Sequence, residues 1–253
     1  MPFTPAHVMA VIPALRWQRA LRLDPTCLVI GSMAPDFEYF LRGEQAGQFA
    51  HTFVGIVGWG VPVTLVLAAL YHAVVKWPVL LAAPARLTSV LGGPPPPLSV
   101  PTIASMAVSA ALGDLTHVLW DGATHATGVF VTRIPALTVR YTVPVIGEMP
   151  LHRIVQHTST LVGLVGLMWV LARALRRTGP PRELAISRAR TRIAFAACIA
   201  TGMALTLYRS HRMHIVDPGS LIVAMISGLL AGTIVASALA RADGRRYRDL
   251  LTG

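Results

Sequence analysis

Charge is scarce in this chain. Only 13% of its 253 residues are Asp, Glu, Lys or Arg, about half the usual share for a soluble domain. Lysine is nearly absent: of 22 basic residues only Lys76 is one. The rest are arginines, and with the abundance of Ala, Gly and Pro this predicts a bacterial genome of high G+C content. There are two cysteines, Cys27 and Cys198. They lie far apart in apolar surroundings, which argues against a disulfide framework, and two thiols are too few for a cysteine-type zinc site. The N-terminus, "MPFTPAHVMAVIPALRW", has no basic n-region and carries proline where an apolar h-region would run, so it does not read as a cleavable signal peptide.

What remains is apolar. Hydrophobic residues make up 54% and the mean hydropathy is +0.59. A membrane span needs about 20 mostly apolar residues, and five stretches qualify: 53–75, 101–120, 155–175, 192–208 and 218–240. The expected fold is therefore all-α, a polytopic bundle of about five transmembrane helices. It forms one membrane domain over 1–253, with an N-terminal cap segment (1–52), a transmembrane bundle (53–240) and a basic tail (241–253). The cap is expected to hold a helix over 5–22. Pro35, Asp36 and Glu38 break the apolar run 27–41 into short helices or a re-entrant segment. Four consecutive prolines make 80–101 a connector with polyproline II character.

The net charge of +11 could suit nucleic acid, but the arginines flank apolar spans, where they orient a membrane protein. No nucleic-acid partner is expected; the partner is the lipid bilayer. Seven arginines lie in 173–192 and four in 241–248. Both segments are predicted to be cytoplasmic, which places the chain in the bacterial inner membrane with its C-terminus inside.

With five spans alternating, all nine histidines but His72 fall near one membrane face, as do Asp36, Glu38, Asp121 and Glu148. Imidazoles and carboxylates gathered at one end of a helical bundle are the usual material of a metal site. In "HVLWDGATHATG" (117–128), His117 and Asp121 stand at i and i+4 on one helix face, able to chelate one ion. Asp114 lies one turn deeper, and His125 follows where Gly122 is expected to end the helix. His51 enters the first span and His157 the third, at the same level. His7 and the "PDFE" turn come from the cap. A lone interfacial histidine is as a rule structural, and His72, His211 and His214 are read that way.

These motifs together resemble a known family. "MPFTPAH", "GSMAPDFEYFL", "AHTFVG", "THVLWDGATHATG" and "LHRIVQHTSTLVG" are similar to a bacterial integral-membrane family, domain of unknown function 4184, over at least residues 1–175. Their order also resembles the wider group of predicted membrane-bound metal-dependent hydrolases, although that group carries a fuller "HRGxTHS"-like stretch where this chain has "AHTFVG". The residues carried over by the resemblance are His7, Asp36, Glu38, His51, His117 and Asp121.

The expectation is a divalent metal centre, zinc first and manganese or iron next, ligated by His7, Asp36, His51, His117 and Asp121. Glu38 is expected as a further ligand or general base, with His125 and His157 as supporting or acid groups. The expected chemistry is hydrolysis of an ester or phosphoester in a lipid-like or envelope substrate by metal-activated water. The alternatives are a transporter or other metal- or proton-binding membrane protein, and a scaffold whose cluster is structural.

Overall fold

A computed structural model of the chain describes residues 3–45, 48–97, 99–179 and 188–252; Arg182, one of the arginines used for orientation, lies outside them. Among the described residues, five helices are long and apolar enough to cross a membrane: Phe53–Ala82, Val100–Thr124, Leu151–Arg177, Ala189–Arg212 and Pro218–Leu239. They are called the first to fifth spans below. The protein is an all-α, multi-pass membrane protein, with one two-stranded hairpin among the described residues.

The span starts follow from capping chemistry. Ser99 accepts from the Thr102 N–H and Pro101 sits in the first turn of the second span. Asp217 accepts from the Ser220 N–H at 2.7 Å, with Pro218 opening the fifth span. In both, the proline gives up an N–H that had no partner in the first turn anyway.

The spans run longer than the apolar runs alone suggest. The first continues to Ala82 because the Lys76 ammonium bonds the Gly93 carbonyl and is buried, so the charge does not end the helix. It also contains two π-helical turns, Ile56–Gly60 and Tyr71–Val75. The second span passes through Gly122 and ends at Thr124, with His125 extended at its C-cap. Gly122 serves the following loop instead: its carbonyl accepts from the Phe130 N–H at 3.0 Å, and a Cβ there would meet the Val129 side chain at 3.0 Å.

The chain folds as two compact units. The first comprises 1–36, 48–66 and 96–171. Its N-terminal helix is shorter than the expected 5–22. A 3-10 turn, Thr4–His7, leads into Val8–Leu15. There the Arg16 and Trp17 N–H groups bond back to Pro13 and Ala14 in tight i→i−3 fashion. Arg22 then takes a left-handed φ of 53°, reversing the chain. Asp24 caps the next helix, Pro25–Gly31, by accepting from the Cys27 N–H.

Val8, Val11 and Leu28 bury each other. Pro25–Gly31 packs backbone to backbone on the second span: a Cβ on Gly31 would meet the Ala110 oxygen at 2.5 Å, and one on Gly113 the Leu28 oxygen at 2.4 Å. Between the second and third spans lies a hairpin that the sequence did not announce. Arg140–Val143 pairs antiparallel with Gly147–Pro150, and Val145 turns the chain at φ 72°.

The second unit comprises 37–47, 67–95 and 172–253. The fourth and fifth spans meet through glycine. A Cβ on Gly202 would lie 2.3 Å from the Gly228 oxygen, and one on Gly232 2.5 Å from the Cys198 oxygen. Gly228 and Gly232 form a small-xxx-small face of the kind that lets membrane helices approach closely. The connector holds a short helix, Ala85–Leu91, before its prolines. The basic tail is likewise a helix, Arg241–Thr252.

Candidate metal centre

Each polar residue of the first unit's cluster is delivered by a separate local device. His7 ends the N-terminal 3-10 turn, which the third span clasps: the Phe3 N–H donates to Thr160 Oγ1, and a Cβ on Gly163 would lie 2.9 Å from that of Ala6. Asp36 ends the 3-10 turn Ala34–Asp36, pinned to the first span by the Trp59 indole N–H donating to the Ala34 carbonyl at 3.2 Å. His51 closes the turn Phe49–His51 immediately before Thr52, whose hydroxyl caps the first span by accepting from the Gly55 N–H. His117 and Asp121 lie on one face of the second span, within its last two turns.

These five side chains face one another. Asp121 Oδ1 is 3.5 Å from His7 Nε2, and its Oδ2 is 3.4 Å from His117 Nε2 and 3.7 Å from His51 Nε2. Asp36 Oδ1 is 3.3 Å from His51 Nε2 and 3.6 Å from His117 Nε2. The His7 and His117 rings stack with centroids 3.8 Å apart. Two sets of three can each hold an ion, His7–His117–Asp121 and Asp36–His51–His117, and His117 belongs to both.

The burial is severe: His7, Asp36 and His117 are 0% exposed and Asp121 6%. Burial, then the neighbouring His117 ring, lowers the His7 pKa to about 3, so its imidazole stays neutral and keeps a ring lone pair. Burial pushes the Asp36 carboxyl up, but His117, His51 and His7 around it outweigh this and hold it below the usual carboxylate range.

His117 carries the most specific information. Its Nδ1 lies 2.8 Å from the Ser32 carbonyl oxygen, which can only accept. Nδ1 therefore bears the proton, and Nε2 of the neutral ring turns a lone pair towards the two carboxylates. Fixing one ring nitrogen on a backbone carbonyl so that the other can ligate is the standard outer support of a metal-binding histidine. Asp36 is supported in the same way, its Oδ2 accepting from the Thr4 hydroxyl.

The donor set fits a divalent ion. His7 Nδ1 and Nε2, His117 Nε2 and both Asp121 oxygens are buried with no hydrogen-bond partner, an arrangement native proteins avoid unless something else satisfies the atoms. Apart from the His51 Nε2–Asp36 Oδ1 hydrogen bond at 3.3 Å, the facing separations of 3.4–3.7 Å exceed good hydrogen bonds. They match the edge of about 3.4 Å in a tetrahedron with metal bonds of about 2.0–2.1 Å.

The model of a family described as domain of unknown function (DUF4184) matches residues 1–238. The chain belongs to that family. No curated protein and no solved structure matches it.

Of the residues singled out in this DUF4184 protein, His7, Asp36, His51, His117 and Asp121 come together. His125 lies beside them: its Nδ1 is 3.1 Å from the Asp121 carbonyl oxygen and 3.6 Å from Asp121 Oδ2, while its Nε2 is buried without a partner. Burial lowers its pKa. Glu38 and His157 belong to neither ligand set. Glu38 pairs with Arg42 at 3.0 Å, the i,i+4 geometry of its short helix. His157 points outward from the third span and is exposed.

His152, five residues earlier, is the buried one, donating from Nδ1 to the Leu137 carbonyl at 3.1 Å as a loop anchor. Two supporting groups have no signature in the spacing of chemistry-bearing side chains. One is Thr4; the other is the Ser32 carbonyl, a backbone atom.

Proposed function

We propose that this DUF4184 protein is a membrane-embedded, metal-dependent hydrolase acting on an ester or phosphoester of a lipid or envelope substrate. The supporting observation is the convergence of three imidazoles and two carboxylates in one cluster, in which His7, His117 and Asp121 offer buried donor atoms that no hydrogen bond satisfies. His7, His51, His117, Asp36 and Asp121 would hold a divalent ion, zinc by the imidazole content and manganese or iron by the carboxylates. When bound, such an ion supplies a water whose pKa falls towards neutrality and polarises the bond to be cleaved. His125 would be the proton carrier: with Nδ1 held on the Asp121 carbonyl, its Nε2 lone pair would first take up a proton and then hand it to a leaving oxygen. The motif order shared with predicted membrane-bound hydrolases supports the same reaction class. A site beside the starts and ends of spans suits a substrate lying in the bilayer surface. The arginine distribution supports an inner-membrane orientation with a cytoplasmic C-terminus.

The test has two stages. Protein purified in detergent without chelator is assayed for metal, and turnover of phospholipid and phosphomonoester substrates is compared with and without EDTA. Metal near one or two equivalents with chelator-sensitive turnover is the expected result. Absence of metal sinks the reading.

One observation favours a second reading, a metal or proton transporter. Asp114 lies a turn deeper in the second span, fully buried, with neither carboxylate oxygen partnered. Acids at that depth commonly serve ion or proton passage. Metal without turnover, combined with metal-driven uptake into proteoliposomes, would select it.

A further inference from the structure

The second unit carries a cluster of the opposite kind. The tail helix Arg241–Thr252 begins just after the fifth span ends at Leu239. It docks on the last turns of the first span. Tyr247 is buried with Trp77, Leu80 and Leu81. Its hydroxyl is 3.0 Å from Thr88 Oγ1 and accepts from Arg188 Nη2 at 3.0 Å, and the Arg188 guanidinium lies over its ring. Gly244 allows the approach, since a Cβ there would lie 2.7 Å from Pro78 Cδ. The helix is therefore fixed in azimuth, and that sets where its arginines point.

Arg241, Arg245 and Arg248, at i, i+4 and i+7, share one face. All three line a cavity of about 210 Å³ floored by His72, Trp77 and Pro78, with no acidic side chain in its lining. Among the described residues Arg241 and Arg245 have no ion-pair partner, while Arg248 reaches Asp249 at 2.7 Å. Arg241 and Arg245, two like charges brought to one cleft beside the guanidinium of Arg248, repel each other until an anion fills it, and guanidinium forks match phosphate oxygens bidentately.

The cleft also has a level. Both helices that form it are the C-terminal ends of membrane spans or their direct continuation, so it sits where hydrocarbon gives way to headgroups. Its indole and proline floor suits the glycerol and first methylenes of a lipid, as interfacial tryptophan generally does.

We propose that this cleft binds the phosphate of an anionic phospholipid headgroup. Basic helices beside spans are attracted to anionic leaflets in general. Here a docked helix and a defined cavity make the interaction a site. It shares no residue with the metal cluster and stands or falls without it.

The experiment is native mass spectrometry of the full chain released from mixed micelles of phosphatidylglycerol and phosphatidylcholine. The expected result is preferential retention of phosphatidylglycerol. In Arg241→Gln/Arg245→Gln that preference falls by about tenfold or more, two surface-level arginine contacts being removed. It stays intact in Arg176→Gln/Arg177→Gln, which removes equal charge from the exposed end of the third span. Melting in phosphatidylcholine alone checks the fold. If the double variant melts low, Arg245→Lys keeps the charge but not the fork, and a weaker preference is expected of it at wild-type stability. Unchanged preference in a folded Arg241→Gln/Arg245→Gln variant overturns the site. Equal stabilisation of the wild type by millimolar inorganic phosphate and by phosphatidylglycerol overturns the lipid assignment in favour of a soluble phosphate.

Discussion

His117 donates its Nδ1 proton to the carbonyl of Ser32 across 2.8 Å, although 85 residues separate them. The bond exists because Gly31 and Gly113 let Pro25–Gly31 and the second span touch backbone to backbone. It decides which nitrogen of His117 faces Asp36 and Asp121.

His117→Ala and Asp121→Ala are expected to abolish most bound metal while leaving the protein inserted. Each removes a donor atom from the ligand sets, and His117 belongs to both. His157→Ala and His211→Ala, altering exposed histidines, keep wild-type metal. Metal per protein, beside a melting curve in detergent, checks this. Equal metal in wild type and His117→Ala would reduce the cluster to a structural turn.

Thr4→Val removes the hydroxyl that donates to Asp36 Oδ2 at nearly constant volume. Loss of such a supporting bond typically weakens metal affinity by about 10–100-fold, and that range is expected here. Thr4→Ser restores the bond and the affinity. Competition against a chelator of known affinity measures both variants.

Gly60 and Asp114 form a pair testable by a double-mutant cycle. A Cβ on Gly60 would sit 1.2 Å from Asp114 Oδ2, so Gly60→Ala must displace the carboxylate or the helix, at a cost of about 1–3 kcal/mol. Asp114→Ala removes an unpartnered buried acid and is expected to be neutral or stabilising. In that background Gly60→Ala should cost much less. Additive melting shifts would mean the carboxylate is not what fills the space above Gly60.

Cys27 reports on the cap. It is fully buried, and burial, followed by the charge of Asp24 and its hydrogen bond, pushes the thiol pKa up. The unreactive thiol form therefore dominates at pH 8. In a Cys198→Ser background, maleimide labelling is expected to be negligible in the folded protein and complete in denaturant. Rapid native labelling would show that the Pro25–Gly31 helix opens readily.

Much of this was legible in one sequence because membrane spans and side-chain pairs at helical spacing leave local marks. Twenty apolar residues announce a span, and Ser99 with Pro101 or Asp217 with Pro218 announces its start. His117 and Asp121 reveal a shared helix face through their spacing alone. His7, Asp36 and His51 were found through motif and membrane level, and the fold brings them to the same place.

What escaped is non-local. Gly31 against Ala110, Gly113 against Leu28 and Gly202 against Gly228 are helix pairings that no single helix specifies. The hairpin at 140–150 has turn residues in Pro144 and Gly147, but it places β-branched Val145, not glycine, at the positive-φ position of the turn, which weakens the local signal. Glu38 read as a site acid from its place in "PDFE", yet Arg42 one turn later gives it a local partner. The tail read only as a basic segment because the residues that dock it, Gly244, Tyr247 and Leu251, are scattered among its arginines.

The order of the chain sets a timetable for the cluster. His7, Asp36 and His51 all precede the first span, whereas His117 and Asp121 come at the end of the second. During synthesis the early three therefore leave the ribosome 66 to 114 residues before their counterparts, counting from His51 to His117 and from His7 to Asp121. At about 5–20 residues per second, that is a wait of roughly 3 to 23 s. Throughout it the N-terminal segment carries buried-type polar groups with nothing to bury them. Completion of the second span, and not arrival of the N-terminus at the membrane, is the moment at which this part of the protein can close.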